Sequence, residues 1–447
     1  MELTRTPALK ALIVGVSMLA AGAAAAAPVQ ALEPRATGSA ASLAAQAVEP
    51  RRAVERLTAL IRVEFYDAAR AARIANTLEA AAEAGSFDRL TDPRDLAWEL
   101  TRRLAPEDRH FAVSWAQAEA GQQRLLPPPS ADLSRVNHGF VEARVLPGGV
   151  GYVKIDQFAP IDGPACLAVA AADAALAFVR AAPSLIIDLR DNGGGSPSMV
   201  GYLVQQFVAH PEKIANRFKS RRGPDRLELS PVAATHAPRV DTPLYILVSG
   251  RTGSAAEALA YTLQAAGRAT VVGERTGGAA NPGSIHRTAE GFRIFISGGT
   301  PVNPITKANW EGVGVAPDIV VPQADALHTA HLRALEAEVA LPRVAAHVLE
   351  TLKVGRSEPA GQAQLAGRYG ELEIVATDGA ALLRQGRRPQ RTLVALGGDR
   401  FSLAEDPAAR LRIERAPTGA VLALVREVPG GGEVRYHRQP VETAALP

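Results

Sequence analysis

The 447-residue chain has a single cysteine, few aromatic residues and almost no excess of charge. Cys166 has no second cysteine with which to form an internal disulfide, so the fold must rest on its apolar cores. Hydrophobic residues make up 47% of the chain, which is enough for sizeable cores. The net charge is only +3 and no basic cluster with interleaved aromatic residues occurs, so we expect no nucleic-acid partner.

Strongly apolar runs of transmembrane length are also missing, because the uncharged stretch near the start is short and rich in alanine. Residues 1–31 instead have the pattern of a secretory signal peptide. A basic segment at residues 1–10 precedes an apolar segment at residues 11–20, and small residues lead to a cleavage site after Ala31, with Ala26 as the alternative. We therefore expect a periplasmic or secreted protein with no membrane span once the signal is removed.

The residue pattern changes along the chain and predicts several segments. A length of 447 residues indicates more than one domain. We predict a helical N-terminal domain at residues 32–120, an α/β core at 121–325, a helical segment and linker at 326–360, and a small all-β domain at 361–447. The predicted fold class is therefore α/β, with a helical domain before the core and a β domain after it.

The sequence around Ser254 has the form of a strand, a tight turn and a helix. Residues 243–249 are an apolar run typical of a buried strand, and residues 255–266 have helical character. A glycine-flanked turn of this kind exposes a nucleophilic hydroxyl at the positive end of a helix, where the N–H of Ala255 can stabilise an oxyanion. Serine in this position also serves as an ordinary helix N-cap, so both interpretations stay open.

A run of glycines follows another strongly apolar segment. Residues 184–190 predict a buried strand, and Gly193 and Gly194 come shortly after it. Such glycines let backbone N–H groups approach a ligand atom closely. A phosphate-binding loop would need Lys and then Ser or Thr after the glycines, whereas this chain continues with Ser196 and Pro197. We therefore interpret Gly193 or Gly194 as a second oxyanion donor.

Two further residues are candidates for chemistry, although neither is specific alone. His110 stands just before an apolar run, and Glu311 lies between Trp310 and a glycine. The pair His328 and His331 is one helical turn apart, as metal ligands often are, but the sequence offers no third ligand beside it. We therefore predict no metal site.

Four motifs together resemble the C-terminal-processing, or tail-specific, serine peptidase superfamily, and within it the tricorn-type branch that includes the modules of interphotoreceptor retinoid-binding protein. The motifs are Asp-Leu-Arg-Asp-Asn-Gly-Gly-Gly (188–195), Ser-Ala-Ala-Glu (254–257), Val-Gly-Glu-Arg-Thr-Gly-Gly (272–278) and Trp-Glu-Gly-Val-Gly-Val-Ala-Pro-Asp (310–318). By this resemblance, Ser254 is the nucleophile, His110 is the general base and Glu311 orients His110. The resemblance covers residues 50–325 and implies a crotonase-like core, a peptide or protein substrate and no cofactor.

This chain departs from such relatives at two places. In the Ser-Lys branch a lysine follows the Val-Gly-Glu-Arg-Thr motif, but no lysine occurs here between Lys219 and Lys307, which disfavours a Ser-Lys dyad. Tricorn-type enzymes often have a serine directly before the catalytic histidine, and Arg109 stands there instead. The alternative function is a non-catalytic module that binds an apolar ligand or a peptide on the same fold.

Overall fold

The computed structural model describes residues 48–115, 133–338, 340–354, 362–377, 380–428 and 431–440. These residues belong to one compact unit. The predicted signal peptide at residues 1–31 lies outside them. Among them, no helix combines the length and the apolar character needed to cross a membrane.

The helices and strands fall into three groups along the chain. The first group is α1 (Pro50–Glu64), α2 (Ala68–Glu83), α3 (Pro93–Leu104) and β1 (Ala112–Trp115). The second is β2 (Phe140–Val145), β3 (Gly151–Ile155), α4 (Leu167–Phe178), β4 (Leu185–Asp188), α5 (Pro197–Val204), β5 (Arg217–Ser220), β6 (Arg226–Leu227), β7 (Leu244–Val248), α6 (Ala255–Ala265), β8 (Thr270–Gly273), β9 (Gly283–Arg287), β10 (Phe292–Ser297), β11 (Gly299–Val302) and β12 (Ile319–Val320). The third is α7 (Ala326–Glu336), α8 (Arg343–Val354), β13 (Gly367–Tyr369), β14 (Leu372–Thr377), β15 (Ala380–Gln385), β16 (Arg391–Gly397), β17 (Arg400–Leu403), β18 (Asp406–Arg415), β19 (Val421–Val428) and β20 (Gly432–His437).

A six-stranded sheet forms the centre of the molecule, in the order β12-β8-β7-β4-β3-β2. Neighbouring strands from β3 to β12 are parallel, and β2 pairs with β3 as an antiparallel hairpin. Every residue of β4 and β7 is buried. Ile187 faces the core under α4, α5 and α6, whereas its neighbour Ile186 faces α7 and α8. The sheet is therefore covered on both faces, which explains the continuous apolar runs in its central strands. The predicted α/β core is confirmed.

The first three helices have clear sequence signals at their starts. Asp67 and Asp92 act as N-caps and accept hydrogen bonds from the N–H groups of Arg70 and Arg94. Pro93 occupies the first position of α3, where its missing N–H carries no cost.

These helices do not build a core by themselves. Their buried faces pack against Phe292, Ile294 and Ile296 of β10, which belongs to a small sheet in the order β1-β10-β9. Phe295 of β10 pairs with Ala112 of β1 across an antiparallel ladder. The hairpin of β9 and β10 thus completes the apolar core of α1 to α3. Through its pairing with β1, it also fixes the chain next to His110.

The C-terminal group forms an eight-stranded antiparallel sheet whose strands follow chain order from β13 to β20. Its first and last strands meet, because Tyr369 and Arg438 form an antiparallel bridge and Gln439 N–H donates to Arg368 O at 2.8 Å. The closed sheet encloses its own apolar cluster. The predicted all-β C-terminal part is confirmed.

Arg410 connects this closed sheet to the rest of the molecule. The side chain lies on β18, is 7% exposed, and donates to the backbone carbonyl of His347 and to Thr351 Oγ1 on α8. It also pairs with Glu350 at 3.0 Å. Burial lowers the pKa of Arg410, although the Glu350 charge opposes that effect.

We expect Arg410→Ala to destabilise the protein by about 1–3 kcal/mol, because it leaves the backbone carbonyls of His347 and Pro407 without this donor. The matched control is Arg412→Ala on the same strand. That side chain is 42% exposed, and losing its surface ion pairs should cost about 0–1 kcal/mol. Thermal and urea unfolding of both variants measure the difference, and equal stabilities would contradict the connecting role of Arg410.

Candidate active site

Ser254 lies at the carboxyl edge of the central sheet, in the turn between β7 and α6. Thr252 Oγ1 donates to Leu189 O at 2.8 Å, and Gly253 N–H donates to Asn192 O at 3.1 Å. The turn after β7 is therefore tied to the glycine-rich turn after β4. This neighbourhood follows from topology, because β4 and β7 are adjacent parallel strands whose carboxyl ends meet.

The backbone of Ser254 is strained. Its φ of 52° and ψ of −122° fall outside the regions that residues with a side chain normally adopt. An ordinary N-cap residue has extended backbone angles, so Ser254 does not have the conformation of a simple cap. Strain of this kind on a strand-to-helix turn is typical of a nucleophile held outward from the sheet.

The carboxylate of Glu257 holds this strained turn. Its Oε2 accepts from the N–H groups of Ser254 at 2.8 Å and Ala279 at 2.9 Å. Its Oε1 accepts from Thr276 Oγ1 at 2.5 Å and from Gly278 N–H at 2.6 Å. Glu257 is fully buried, and four donors satisfy the charge that burial would otherwise make costly. Glu257 is the last residue of the Ser-Ala-Ala-Glu motif, but the sequence alone did not indicate what its side chain does.

The two predicted oxyanion donors from the glycine turn differ in their surroundings. Gly194 N–H donates to Asn192 Oδ1 at 2.8 Å and is already engaged. For Gly193 N–H, no acceptor is found within the described residues. The N–H of Ala255 opens α6, where helix geometry leaves the first donors without intrahelical partners. The geometry therefore favours Gly193 and Ala255 as the pair that faces a developing oxyanion.

His110 is held by two carboxylates. Its Nδ1 lies 3.1 Å from Asp108 Oδ1 and 3.8 Å from Glu311 Oε2, so Asp108 makes the hydrogen bond and Glu311 lies just beyond hydrogen-bonding distance. The N–H of His110 also donates to Asp108 Oδ1 at 2.8 Å. The sequence predicts Glu311 as the orienting residue, and Asp108 was missed. Its signal is local, since an Asp side chain readily bonds the backbone two residues ahead.

The two carboxylates shift the proton equilibrium of the imidazole. Burial lowers the pKa of His110, but the hydrogen bond and charge of Asp108, with the more distant charges of Glu311 and Glu257, outweigh it and raise the pKa above the usual 6.5. Burial and the Asp108 charge raise the pKa of Glu311. The N–H groups of Ala280 and Asn281 partly offset this rise, because both donate to Glu311 Oε2.

His110 and Ser254 line one cavity of about 240 Å³, together with Ala255, Phe295 and Trp310. The ring of Phe295 stacks on the imidazole at a centroid distance of 5.7 Å. No hydrogen bond between Ser254 and His110 is found among the described residues, and catalytic contacts of this type often tighten only with substrate bound. The structure thus brings the predicted nucleophile, base and orienting residue to the same place.

Arg109, the residue directly before His110, binds the backbone of a neighbouring segment. Its guanidinium donates to Gly277 O at 2.9 Å. It thereby connects the His110 turn to the segment that Glu257 also binds. Arg109 consequently supports the position of His110 without contacting the imidazole.

Metal binding is possible at one cluster within the described residues. One ligand atom each from Asp108, His110 and Glu311 lies within 4.8 Å of the others. The two carboxylates also serve the imidazole, so a cation there would compete with its protonation. The other histidine pair does not form such a cluster, since His331 is buried and its Nε2 lies 2.8 Å from Pro147 O.

Comparison with known proteins places this geometry in context. A model of the family described as Peptidase family S41 matches residues 149–321, which include Ser254, Gly193, Gly194 and Glu311 but not His110. Carboxyl-terminal-processing peptidase 1, chloroplastic, of Arabidopsis thaliana is 28% identical over 195 residues, which are 43% of this chain and 36% of that protein. A carboxyl-terminal-processing protease of a Picosynechococcus species is 29% identical over 182 residues, covering 39% of each chain. This chain therefore matches less than half the length of either relative.

Solved structures also resemble parts of the fold. The photosystem II D1 C-terminal processing protease aligns with a TM-score of 0.32 and 24% identity, over 39% of this chain and 42% of that one. A lipoprotein from Streptococcus agalactiae aligns with a TM-score of 0.43 and 12% identity, over 65% and 98% of the two chains.

We expect Gly194→Ala to disable the turn at Ser254. A Cβ at position 194 would lie 2.7 Å from Ser254 Cβ, and a φ of 116° disfavours any L side chain there. Labelling of Ser254 by a fluorophosphonate should slow by about 100-fold, as for other small displacements of reacting groups. Gly193→Ala is the matched control, because a Cβ there meets no atom within 4 Å and the N–H remains. Equal labelling of the two variants would contradict the close packing of Gly194 on Ser254.

Proposed function

We propose, from the match of residues 149–321 to the model of peptidase family S41, that the protein is a serine peptidase that cleaves peptide bonds through an acyl-enzyme on Ser254. One observation carries this proposal. Ser254, in a strained turn at a helix N-terminus, shares a cavity with a histidine whose Nδ1 is bonded to a buried carboxylate. A module that only binds a ligand has no need for that combination.

His110 acts as the general base in the proposed reaction. Its Nδ1–H donates to Asp108, which leaves Nε2 as the nitrogen that accepts a proton from Ser254. Asp108 and Glu311 stabilise the imidazolium that forms. His110 then gives this proton to the departing amine.

The oxygen of the tetrahedral intermediate lies against the N–H groups of Ala255 and Gly193. The N-terminal end of α6 adds a partial positive charge at the same point. Removing one donor of this type typically slows a reaction by about 100- to 1000-fold. Water then attacks the acyl-enzyme, again with His110 as the base.

We further propose that the substrates are peptides or proteins outside the cytoplasm. This location follows from the signal-peptide pattern of residues 1–31. The residues that carry the proposed chemistry all precede the closed C-terminal sheet. That sheet is therefore an accessory to the reaction, attached through α8.

We expect Ser254→Ala to abolish both peptide hydrolysis and fluorophosphonate labelling while the melting temperature changes little. Oγ is the attacking atom, and alanine leaves the backbone of the turn as strained as before. Ser284→Ala, at an exposed serine of β9, is the control and should label normally. An adduct located at any residue other than Ser254 by mass spectrometry would rule out this assignment.

The pH profile distinguishes the two carboxylates. Activity should fall at acidic pH through an apparent pKa above 6.5, because protonated His110 cannot act as a base. Asp108→Asn removes the main contribution that raises this pKa, so the acidic limb should move to lower pH. The rate should also drop by about 1000-fold or more, because the imidazole loses the partner that sets its tautomer.

Glu311→Gln should shift the same limb in the same direction but by less, since Glu311 lies farther from Nδ1 than Asp108 does. Its rate loss should also be smaller. The measurement is kcat/KM against pH for wild type and both variants. A larger effect at Glu311 than at Asp108 would restore Glu311 as the main orienting residue.

A further inference from the structure

The cavity beside Ser254 contains a buried acid that the proposed reaction does not use. Glu228 follows β6, is 5% exposed and lines the cavity. Its Oε2 accepts from Asn216 Nδ2 at 2.7 Å, whereas its Oε1 is buried and has no partner within the described residues. A buried carboxyl with a free oxygen costs stability, so its retention in a cavity indicates a ligand contact.

The orientation of the Asn216 amide is fixed by its hydrogen bonds. Asn303 Nδ2 donates to Asn216 Oδ1 at 3.0 Å, which directs the Asn216 amide hydrogens to Glu228 Oε2 and to Thr262 Oγ1. Glu228 thus receives a fixed donor and no fixed acceptor. The arrangement is ready to accept a further donor at Oε1.

The rest of the cavity wall is mainly apolar. Its side chains include those of Phe218, Ala258, Phe295 and Trp310. Asn281 also lines the cavity. Within the described part of the chain, its Oδ1 is another buried acceptor without a partner, and Trp310 Nε1 is a buried donor without one. Apart from His110, no residue described in the wall carries a basic group. A ligand side chain that fits has an apolar stem and a terminal group rich in donors.

The position of the cavity indicates which substrate residue enters it. Ser254 and Ala255 both line it. In the acyl-enzyme the substrate carbonyl carbon is bonded to Ser254 Oγ, and its oxygen lies against Ala255 N–H. The side chain next to that carbonyl, on the acyl side of the cleaved bond, is therefore the one that reaches the cavity.

We propose that Glu228 is a specificity-determining residue that selects lysine or arginine on the acyl side of the cleaved bond. This inference rests on the proposed peptidase function. The alkyl stem packs against the apolar wall, and the cationic end donates to Glu228 Oε1 and Asn281 Oδ1. Charge-assisted hydrogen bonds in a water-poor cavity are stronger than neutral ones, which disfavours uncharged side chains of the same length.

The state of Glu228 without substrate fits this role. Burial raises the pKa of Glu228 to about 8, although the Asn216 hydrogen bond opposes the rise. At neutral pH the empty cavity therefore holds a neutral acid and avoids the cost of an unpaired buried charge. When a cationic side chain binds, Glu228 ionises and its proton passes to solvent.

The proposal is tested by labelling the full-length protein with three covalent probes. Two are peptidyl phosphonates that differ only on the acyl side, with lysine in one and norleucine in the other. The third is a simple fluorophosphonate without a peptide. The lysine probe should label Ser254 about 10- to 100-fold faster than the norleucine probe, the range for a hydrogen bond to a charged group.

Glu228→Gln should remove that preference while leaving labelling by the norleucine probe and the fluorophosphonate unchanged. Glu212→Gln, at a glutamate whose side chain is 52% exposed, is the matched control and should keep it. If Glu228→Gln does not fold, an arginine and citrulline probe pair on wild type decides. Equal rates for that pair would overturn selection of a cation.

The outcomes separate the two proposals. A protein that no probe labels at Ser254 contradicts the peptidase function itself. Normal fluorophosphonate labelling, combined with norleucine labelling as fast as lysine labelling, overturns the role of Glu228 and leaves the peptidase function intact.

Discussion

The carboxylate of Glu257 is the interaction on which the rest of the site depends. It holds the N–H of Ser254 on one side and the segment from Thr276 to Ala279 on the other. Thr276 in turn receives Val315 N–H at its Oγ1, so the loop after Trp310 is joined to the same point. A single buried charge with four donors therefore fixes three stretches of chain that meet at the end of the parallel strands.

The segment that follows connects the two sides of the cavity. The N–H groups of Ala280 and Asn281 hold Glu311, and Asn281 Nδ2 lies 3.3 Å from Asp108 Oδ2. The serine turn and the histidine turn are thus both attached to residues 276–281. His110 follows the N-terminal helices in the chain, whereas Ser254 lies in the central sheet region. Residues 276–281 contact both turns and so help to fix the distance between them.

Much of the architecture could be predicted because its signals are local. The apolar runs at β4 and β7, the cap at Asp92 and the glycine-flanked turn at Ser254 each depend on adjacent residues. The all-β character of residues 361–447 could be predicted for the same reason, because short alternating runs recur there, although β13 (Gly367–Tyr369) and β17 (Arg400–Leu403) had no such signal.

Most of the features that sequence reasoning missed become visible only when the fold brings residues together. The packing of β10 against α1 to α3 joins residues far apart in the chain. Asp108 stands beside the predicted base in sequence, but only the fold shows that it lies closer to the imidazole than Glu311 does. A lone Glu228 after a two-residue strand carries no pattern, and it became a candidate only when burial and an unpaired oxygen placed it in the cavity.

The late position of β10 in the chain has a consequence for biosynthesis. Helices α1 to α3 and the turn with His110 are made early, but their core lacks one wall until residues 292–297 have been synthesised. Ser254 also emerges before that strand. The packing that places His110, the proposed base, near Ser254, the proposed nucleophile, therefore forms only after most of the core segment has been synthesised, as expected for contacts between residues far apart in the chain.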